Sequence, residues 1–316
     1  MSDVKHLFAS SAGEHELQDK RGVLLYGDEI KPFQNCRRER WMYLGILAIP
    51  RDRWDLAHNM LTGDRLKSGY EGEMHFHNLT TQKKADLAKR WLDRVLWDDQ
   101  KCFHFHVLGL FLDRLQAASF GTSGSQQRRR IYNRFFRTTV SYTLRSYFSE
   151  LREVVVNSIF HDESEMRNDD LFDWHTIWRL GQQYAGVKFE PSRIEFIESD
   201  HHKEACYPEH SQFIQLIDLV LGATREYLDF TSRKKYLKEV AMHFSPLVER
   251  LTDEKKRSNP NSRYRHFRRC TIAFFPSESL TLSQLSDKLE RQRSRFFCQR
   301  PSLLNEAVNG QIRLFG

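Results

Sequence analysis

This chain of 316 residues has no closely spaced pair of cysteines. Its cysteines are odd in number and widely scattered, with no Cys-x-x-Cys: Cys36, Cys102, Cys206, Cys270 and Cys298. This pattern favours reduced thiols over a disulfide framework or a zinc knuckle. Long apolar runs are missing too, since no stretch approaches the ~18 residues of a membrane span. Residues 1–21 lack the apolar core of a signal peptide, so we expect a cytoplasmic protein with no membrane partner.

Several common catalytic motifs are also absent. There is no Gly-x-Gly-x-x-Gly, Walker-type loop or Gly-x-Ser-x-Gly elbow, which removes the usual nucleotide-binding and serine-hydrolase interpretations. A zinc site is not favoured, because the candidate histidines lack a further ligand at fixed spacing. An alternative role for His75 or His202 is proton transfer beside nearby acids. The zinc candidates are His75 with His77, His104 with His106, and His201 and His202 with Cys206.

Positive charge is concentrated late in the sequence. The net charge is +7, and residues 231–270 alone hold twelve Lys or Arg against four Asp or Glu. A basic part joined to a slightly acidic body is expected of a protein that holds a polyanion beside an acidic site. A charge run can also be only a solvated face. The residues predicted to bind nucleic acid, RNA or DNA, are Arg128, Arg129, Arg130, Lys234, Lys235, Arg265, Arg268 and Arg269.

Hydrophobic patterning predicts a strand meander followed by alternating helices and strands, which indicates an α/β sheet with helices on both faces. We expect a polar tail at 1–20, one domain at 21–230 and a basic C-terminal extension at 231–316. Predicted strands cover 22–27, 41–49, 103–112, 154–160, 193–197 and 267–275, with a strand or junction at 72–77. Predicted helices cover 52–62, 80–97, 131–151, 171–184, 211–228, a segment from 231, and 282–295, with a basic linker at 255–263.

One carboxylate interrupts the apolar run at 213–223. At ~100° per residue, Asp218 falls on a narrow polar stripe with Ser211, Gln215, Gly222 and Arg225, while apolar residues cover the rest of the helix. An ionised carboxylate in apolar surroundings is costly without a partner. The pattern predicts a largely buried helix whose stripe lines a cleft. The alternative is that Asp218 touches water at the edge of the core.

Further acids are predicted at the ends of elements. Asp28 is placed at the end of the first strand, Glu73 at the junction near 72–77, and Asp113 at the end of the strand 103–112. Such ends converge at one edge of an α/β sheet, and clustered carboxylates favour Mg²⁺ or Mn²⁺. Glu29 and Asp200 are lower-ranked additions. Each acid after a strand could instead cap a turn.

Three motifs carry a resemblance. The chain reads Tyr26-Gly-Asp28-Glu29-Ile, then Glu73-Met-His75-Phe, then Gln215-Leu-Ile-Asp218-Leu. These resemble the Asp-Glu-Ser, Glu-Ile-Lys or Glu-Leu-His, and Gln-Leu-Ala-Asp-Leu motifs of the bacterial domain of unknown function (DUF) 3800 family, in the ribonuclease H-like superfamily. The resemblance spans about residues 20–228, with Ile30 in place of the usual Ser and Gly27 where an apolar residue is common.

The resemblance implies a ribonuclease H-like mixed sheet and a nuclease that binds about two Mg²⁺ or Mn²⁺ ions through Asp28, Glu73, Asp113 and Asp218. It also associates the chain with bacterial defence. The alternative is a catalytically inactive protein of the same fold that binds nucleic acid or acts as a scaffold. A toxin subunit that needs a protein partner to become active is a third hypothesis. The partner expected besides nucleic acid is another protein or, in a homodimer, a second copy of the chain.

Overall fold

A seven-stranded mixed sheet organises the residues that this computed structural model describes, which are 20–115, 117–148, 151–169, 172–183, 186–229, 232–252 and 269–276. The main strand order is β5-β4-β1-β2-β3-β7, and β6 pairs with β4 beyond β5. The strands are β1 (Lys20–Gln34), β2 (Arg40–Pro50), β3 (His104–Phe111), β4 (Glu153–Asp162), β5 (Val187–Phe189), β6 (Glu195–Ile197) and β7 (Cys270–Phe275).

The first three strands form an antiparallel meander, and β4 then returns to lie parallel to β1. Gly27 of β1 pairs with His161 of β4. Asp28 and Asp162 follow these two residues, so they stand at the same level of neighbouring strands. In parallel strands in register, such residues point to the same face of the sheet.

Helices cover both faces of the sheet, as the patterning predicted. They are α1 (Trp54–Ser68), α2 (Gln82–Leu96), α3 (Gly124–Phe148), α4 (Phe172–Gln183), α5 (Ser211–Asp229) and α6 (Lys235–Thr252). One core contains Tyr26, Phe213 and residues of α1, α2, α5 and α6, while the other contains Val23, Phe136 and residues of α3 and α4. We call these the α5 face and the α3 face.

The first strand is longer than expected, and Asp28 does not end it. β1 continues six residues beyond Asp28, to Gln34. The register shifts between Ile30 and Phe33, around Pro32, and such a bulge accommodates a residue that cannot donate to the ladder. Asp28 therefore lies inside the strand, as the last residue of its buried part.

The segment at 72–77 is not a strand. Residues 72–75 have no regular structure, and a short 3-10 helix follows at Phe76–Asn78. The Thr81 side chain then caps α2 by accepting a hydrogen bond from the Lys84 amide. The extended backbone at 72–75 matters because its amides are free to bond with α5.

Part of the expected C-terminal extension belongs to the main core. β7 pairs in parallel with β3, and α6 packs against α2 and α5. Residues of both elements, including Phe244 and Phe274, are fully buried in the α5-face core. The predicted linker at 255–263 and helix at 282–295 lie outside the described residues. In the described part of the chain, no helix has both the length and the apolarity needed to cross a membrane.

Candidate acidic site

The polar stripe of α5 binds two irregular segments to the helix. Ser211 donates from its hydroxyl to the Glu198 carbonyl at 2.7 Å. Gln215 donates from Nε2 to the Ser199 carbonyl at 2.5 Å and accepts from the Met74 amide at 3.0 Å. The stripe thus satisfies backbone groups that no sheet or helix ladder could satisfy.

Asp218 continues the same pattern one turn later. Its Oδ2 accepts a hydrogen bond from the Phe76 amide at 2.6 Å and lies 3.3 Å from His75 Nδ1. The helix and the segment meet closely because Gly222 has no side chain, since a Cβ there would lie 2.2 Å from Cγ of Phe76. Asp218 is therefore fixed against the segment, and its side chain remains 19% exposed.

Glu73 is positioned by the same segment. Its carboxylate accepts a hydrogen bond from the Ser199 hydroxyl at 2.5 Å, and its carbonyl accepts one from the Tyr70 hydroxyl at 3.0 Å. The buried Arg65 donates to the Gly72 carbonyl at 2.5 Å and to Oε1 of Gln215 at 2.8 Å. Glu73 is thus held beside α5 by side chains from three parts of the chain.

The sheet supplies two more acids to this face. Asp28 is only 6% exposed, and its pKa is raised well above its ordinary value by burial and by the charges of Asp218, Asp162 and Glu29. Burial and the charges of Asp218, Glu29 and Glu73 raise the pKa of Asp162 to about 7. These carboxylates therefore lie close enough to destabilise one another's charge.

The pKa of Asp218 is raised as well, although neighbouring groups partly offset the rise. Burial and Glu73 raise its pKa, whereas His75, the Phe76 amide and Arg225 lower it. Asp28, Asp162, Asp218 and Glu73 together are called the acidic site below. Its excess negative charge is the kind that a bound cation relieves.

The donor set of the acidic site suits a hard cation by its chemistry, since Mg²⁺ and Mn²⁺ prefer carboxylate oxygens. However, no three His, Cys, Asp or Glu side chains in the described ranges are placed to hold one ion together. A shared ion would therefore require these side chains to turn toward one another. The histidine pairs at 75 and 77, 104 and 106, and 201 and 202 form no such group with other described residues either.

Glu29 points to the opposite face of the sheet from Asp28, as alternation along a strand requires. Its Oε2 accepts a hydrogen bond from the Tyr132 hydroxyl of α3 at 3.1 Å and lies 3.5 Å from Nε2 of His161. The same hydroxyl bonds to His161 Nε2. Gly27 is needed here, because a Cβ would meet Phe136 at 2.9 Å and the His161 ring at 3.3 Å.

The structure does not bring Asp113 to the acidic site. Asp28 is level with Gly45 and Val107 across β2 and β3. Asp113 lies six residues beyond Val107, or roughly 20 Å at ~3.4 Å per residue. It caps the start of β2 by accepting from the Arg40 amide at 2.7 Å and pairing with its guanidinium at 3.1 Å.

Asp200 lies in the turn after β6. Its Oδ1 accepts from the His202 amide at 3.1 Å, and its Oδ2 pairs with Lys203 at 3.1 Å. The His202 amide is the main reason that the pKa of Asp200 falls below its usual value. This is the turn-capping arrangement that the sequence offered as the alternative.

The basic residues predicted to bind nucleic acid do not lie together on one surface. Lys234 donates to the His77 carbonyl at 3.4 Å, beside the acidic site, and Lys235 lies over the Tyr236 ring. Arg269 is mostly buried and forms an ion pair with Asp98 at 2.7 Å. Arg265 and Arg268 lie outside the described residues. The exposed side chains of Arg128, Arg129 and Arg130 lie on α3.

A cationic rim adjoins the acidic site on the side of the 72–77 segment. Arg225 lies 3.3 Å from Nε2 of His77 and sits over the Phe33 ring. Burial, Arg225, His75 and Lys234 together lower the pKa of His77 to about 4. Arg225 is buried, at 8% exposed, whereas Lys234 is exposed, so positive charge adjoins the acidic site on this side.

Asp162 is the site residue that the sequence analysis did not select. Its signal was available, because Asp162 comes two residues after the apolar strand 154–160, much as Asp28 follows 22–27. What could not be seen was that β4 lies beside β1 and parallel to it. That pairing places Asp162 beside Asp28 and leaves Asp113 two strands away.

No known protein-family model matches the chain, and no curated protein matches it either. The ribonuclease H-like resemblance therefore stays a prediction based on the three motifs.

Proposed function

We propose that this protein is a metal-dependent nuclease of ribonuclease H-like fold that hydrolyses phosphodiester bonds in RNA or DNA. The observation that carries the proposal is the convergence of Asp28, Asp162, Asp218 and Glu73 from separate elements on one buried face, where burial and mutual repulsion raise the pKa of the three aspartates. A structural role alone gives no reason to concentrate four acids there. Perturbed acids clustered at one place are typical of functional sites.

In this proposal, Asp28, Asp162 and Asp218 hold Mg²⁺ or Mn²⁺, with Glu73 as a further ligand. The metal supplies activation of a water and stabilisation of the leaving oxygen. Asp113 has no part, because it lies far from the other acids along β3. Asp162 takes its place in the ligand set.

The chain's own residues have distinct tasks. Gln215, through the Met74 amide and the Ser199 carbonyl, keeps the two irregular segments against α5. Arg225 and Lys234 attract the phosphate backbone toward the acids. His75, 3.3 Å from Asp218, is placed to exchange a proton with a group bound there.

A direct test uses the full-length protein with labelled single-stranded and duplex RNA and DNA. We expect cleavage with Mn²⁺ or Mg²⁺ and none with EDTA. Asp28→Asn and Asp162→Asn should each reduce cleavage by at least about 100-fold. Asp113→Asn is the matched control, an aspartate after a neighbouring strand, and should keep its activity. Absence of cleavage by wild type on every substrate, or full activity of Asp162→Asn, would overturn the proposal.

One observation favours the second candidate, a catalytically inactive protein that binds nucleic acid or acts as a scaffold. Asp218 already accepts the Phe76 amide, so it has a structural task without metal. This candidate predicts binding that persists in EDTA, falls steeply with salt and survives Asp28→Asn and Asp162→Asn. Gel-shift titrations of the same variants distinguish the two candidates.

A further inference from the structure

A cavity of about 740 Å³ opens on the α3 face, away from the acidic site. It lies between the far half of the β1–β2 hairpin and the first turns of α3, and its size is typical of small-molecule sites. Apolar residues line much of it, namely Pro32, Met42, Leu112, Ala117, Ile131 and Met166.

Cations line the same cavity. Lys31, Arg40, Arg128 and Arg129 all contribute to the wall, against the single acid Glu29. Arg40 is committed to Asp113, whereas Arg128 and Arg129 are exposed on α3. The adjacent Arg130 is exposed as well but does not line the cavity. The wall thus carries a positive charge that favours an anionic ligand.

The first turn of α3 reinforces this preference. Gly124 and Ser125 line the cavity, and they begin a helix of 25 residues. Amides in the first turn of a helix have no intrahelical acceptor and favour a negative charge, and here Ser123 Oγ already accepts from one of them, that of Gln126, at 3.3 Å. The turn therefore adds to the effect of the two arginines.

Glu29 forms the polar part of the wall, and its side chain is only 8% exposed. His161 Nδ1 lies 2.6 Å from the Asp162 carbonyl and donates to it. The Tyr132 hydroxyl contacts both His161 Nε2 and Glu29 Oε2. A carboxylate can accept about four hydrogen bonds, so Glu29 can accept one from a ligand in addition to the one from Tyr132.

We propose that this cavity binds a nucleotide, with the phosphate at Arg128 and Arg129 and a base N–H group at Glu29. A purely apolar ligand would make no use of the two arginines or of the remaining acceptor capacity of Glu29, and a free phosphate would leave the apolar wall unused. A nucleotide combines an anion, a planar body and hydrogen-bond donors at the base edge. The site is separate from the acidic site and does not depend on cleavage there.

The test measures binding of the four ribonucleoside 5′-monophosphates to the full-length protein by calorimetry, with EDTA present to exclude metal-bridged binding at the acidic site. The corresponding nucleosides and inorganic phosphate form the other two arms. We expect at least one nucleotide to bind more tightly than both its nucleoside and phosphate. Equal affinity for phosphate alone, or no binding in any arm, overturns the proposal.

Single substitutions test whether the nucleotide binds in this cavity. Arg129→Ala should weaken nucleotide binding about tenfold, because it removes a charge-assisted contact. Arg130→Ala, its neighbour outside the cavity, should change affinity less than about twofold. Glu29→Gln should weaken nucleotide binding but leave any phosphate binding unchanged. If Arg129→Ala has no effect while Asp162→Asn abolishes binding, the ligand occupies the acidic site and the proposal fails. Because Arg129 is exposed, its variant remains informative even where Glu29→Gln does not fold.

Discussion

Replacing Asp162 with asparagine should stabilise the protein at neutral pH, although it removes a proposed metal ligand. In the absence of metal, the charges of Asp218, Glu29 and Glu73 repel the ionised Asp162 and add to the effect of burial. Asparagine keeps the shape and removes the charge. Its introduction should also relieve Asp28, whose pKa is raised partly by Asp162.

The size of the effect follows from the pKa of Asp162, which rises from 3.8 to about 7 on folding. At ~1.4 kcal/mol per pKa unit, this corresponds to a cost of about 4 kcal/mol once both states are ionised. Because Asp162 is not completely buried, solvent screening reduces the cost, and we expect about 2–3 kcal/mol.

The destabilisation caused by Asp162 depends on pH. Between about pH 4 and pH 7 the folded state binds more protons at Asp162 than the unfolded state, so wild-type stability falls as pH rises through this window. Below about pH 4 both states are protonated and the penalty disappears. The gain from Asp162→Asn should therefore be largest above pH 7 and close to zero near pH 4.

Urea unfolding with EDTA at pH 8 and at pH 4 measures this difference. Asp113→Asn serves as the control, because Asp113 lies far from the acidic site and pairs with Arg40, and it should show no gain at pH 8. A loss of stability in Asp162→Asn at pH 8, or an equal gain at both pH values, would refute the account of the acidic site as an electrostatically strained cluster.

Three further predictions concern other parts of the molecule. Mn²⁺ should raise the melting temperature of wild type more at pH 8 than at pH 5.5, because its carboxylate ligands must lose their protons; a shift independent of pH, or one retained in Asp162→Asn, contradicts the proposed ligands. Gly222→Ala should destabilise by about 1–3 kcal/mol, because its Cβ would collide with Phe76, whereas Gly63→Ala in α1, where nothing lies within 4 Å, should stabilise by about 0.5–1 kcal/mol in the same denaturant titration. Arg269→Ala should lower the free energy of unfolding by about 3 kcal/mol, because it leaves Asp98 buried without its ion-pair partner. Lys234→Ala should leave this free energy unchanged but weaken nucleic-acid binding in gel shifts. The reverse pattern would show that the two roles are misassigned.

Local patterning predicted most elements of the sheet and helices. β2 and α5 agree with the expected strand at 41–49 and helix at 211–228 within one residue at each end, because each is a long apolar run with clear boundaries. The three-residue β6 was also located. The prediction failed at 72–77, where an apolar alternation forms an extended segment whose amides bond to α5 instead of to a strand.

For Asp218, the sequence predicted the helical position of the side chain but not the groups that it contacts. The helical stripe of Ser211, Gln215, Asp218 and Arg225 was determined by helix periodicity, and so was the burial of its surroundings. The partners of the stripe were not, since the Met74 and Phe76 amides and the Glu198 and Ser199 carbonyls come from distant segments. Only the packing of these segments on α5 determined what the stripe contacts.

The sequence by itself determined that acids occur in and after apolar strands and that one lies inside a buried helix. Only the tertiary structure decided which of them meet. The parallel pairing of β1 with β4 puts Asp162 beside Asp28, and alternation along β1 sends Glu29 to the cavity on the other face. The physical reason is that strand periodicity assigns a residue to a face, whereas the order and register of strands are set by long-range packing.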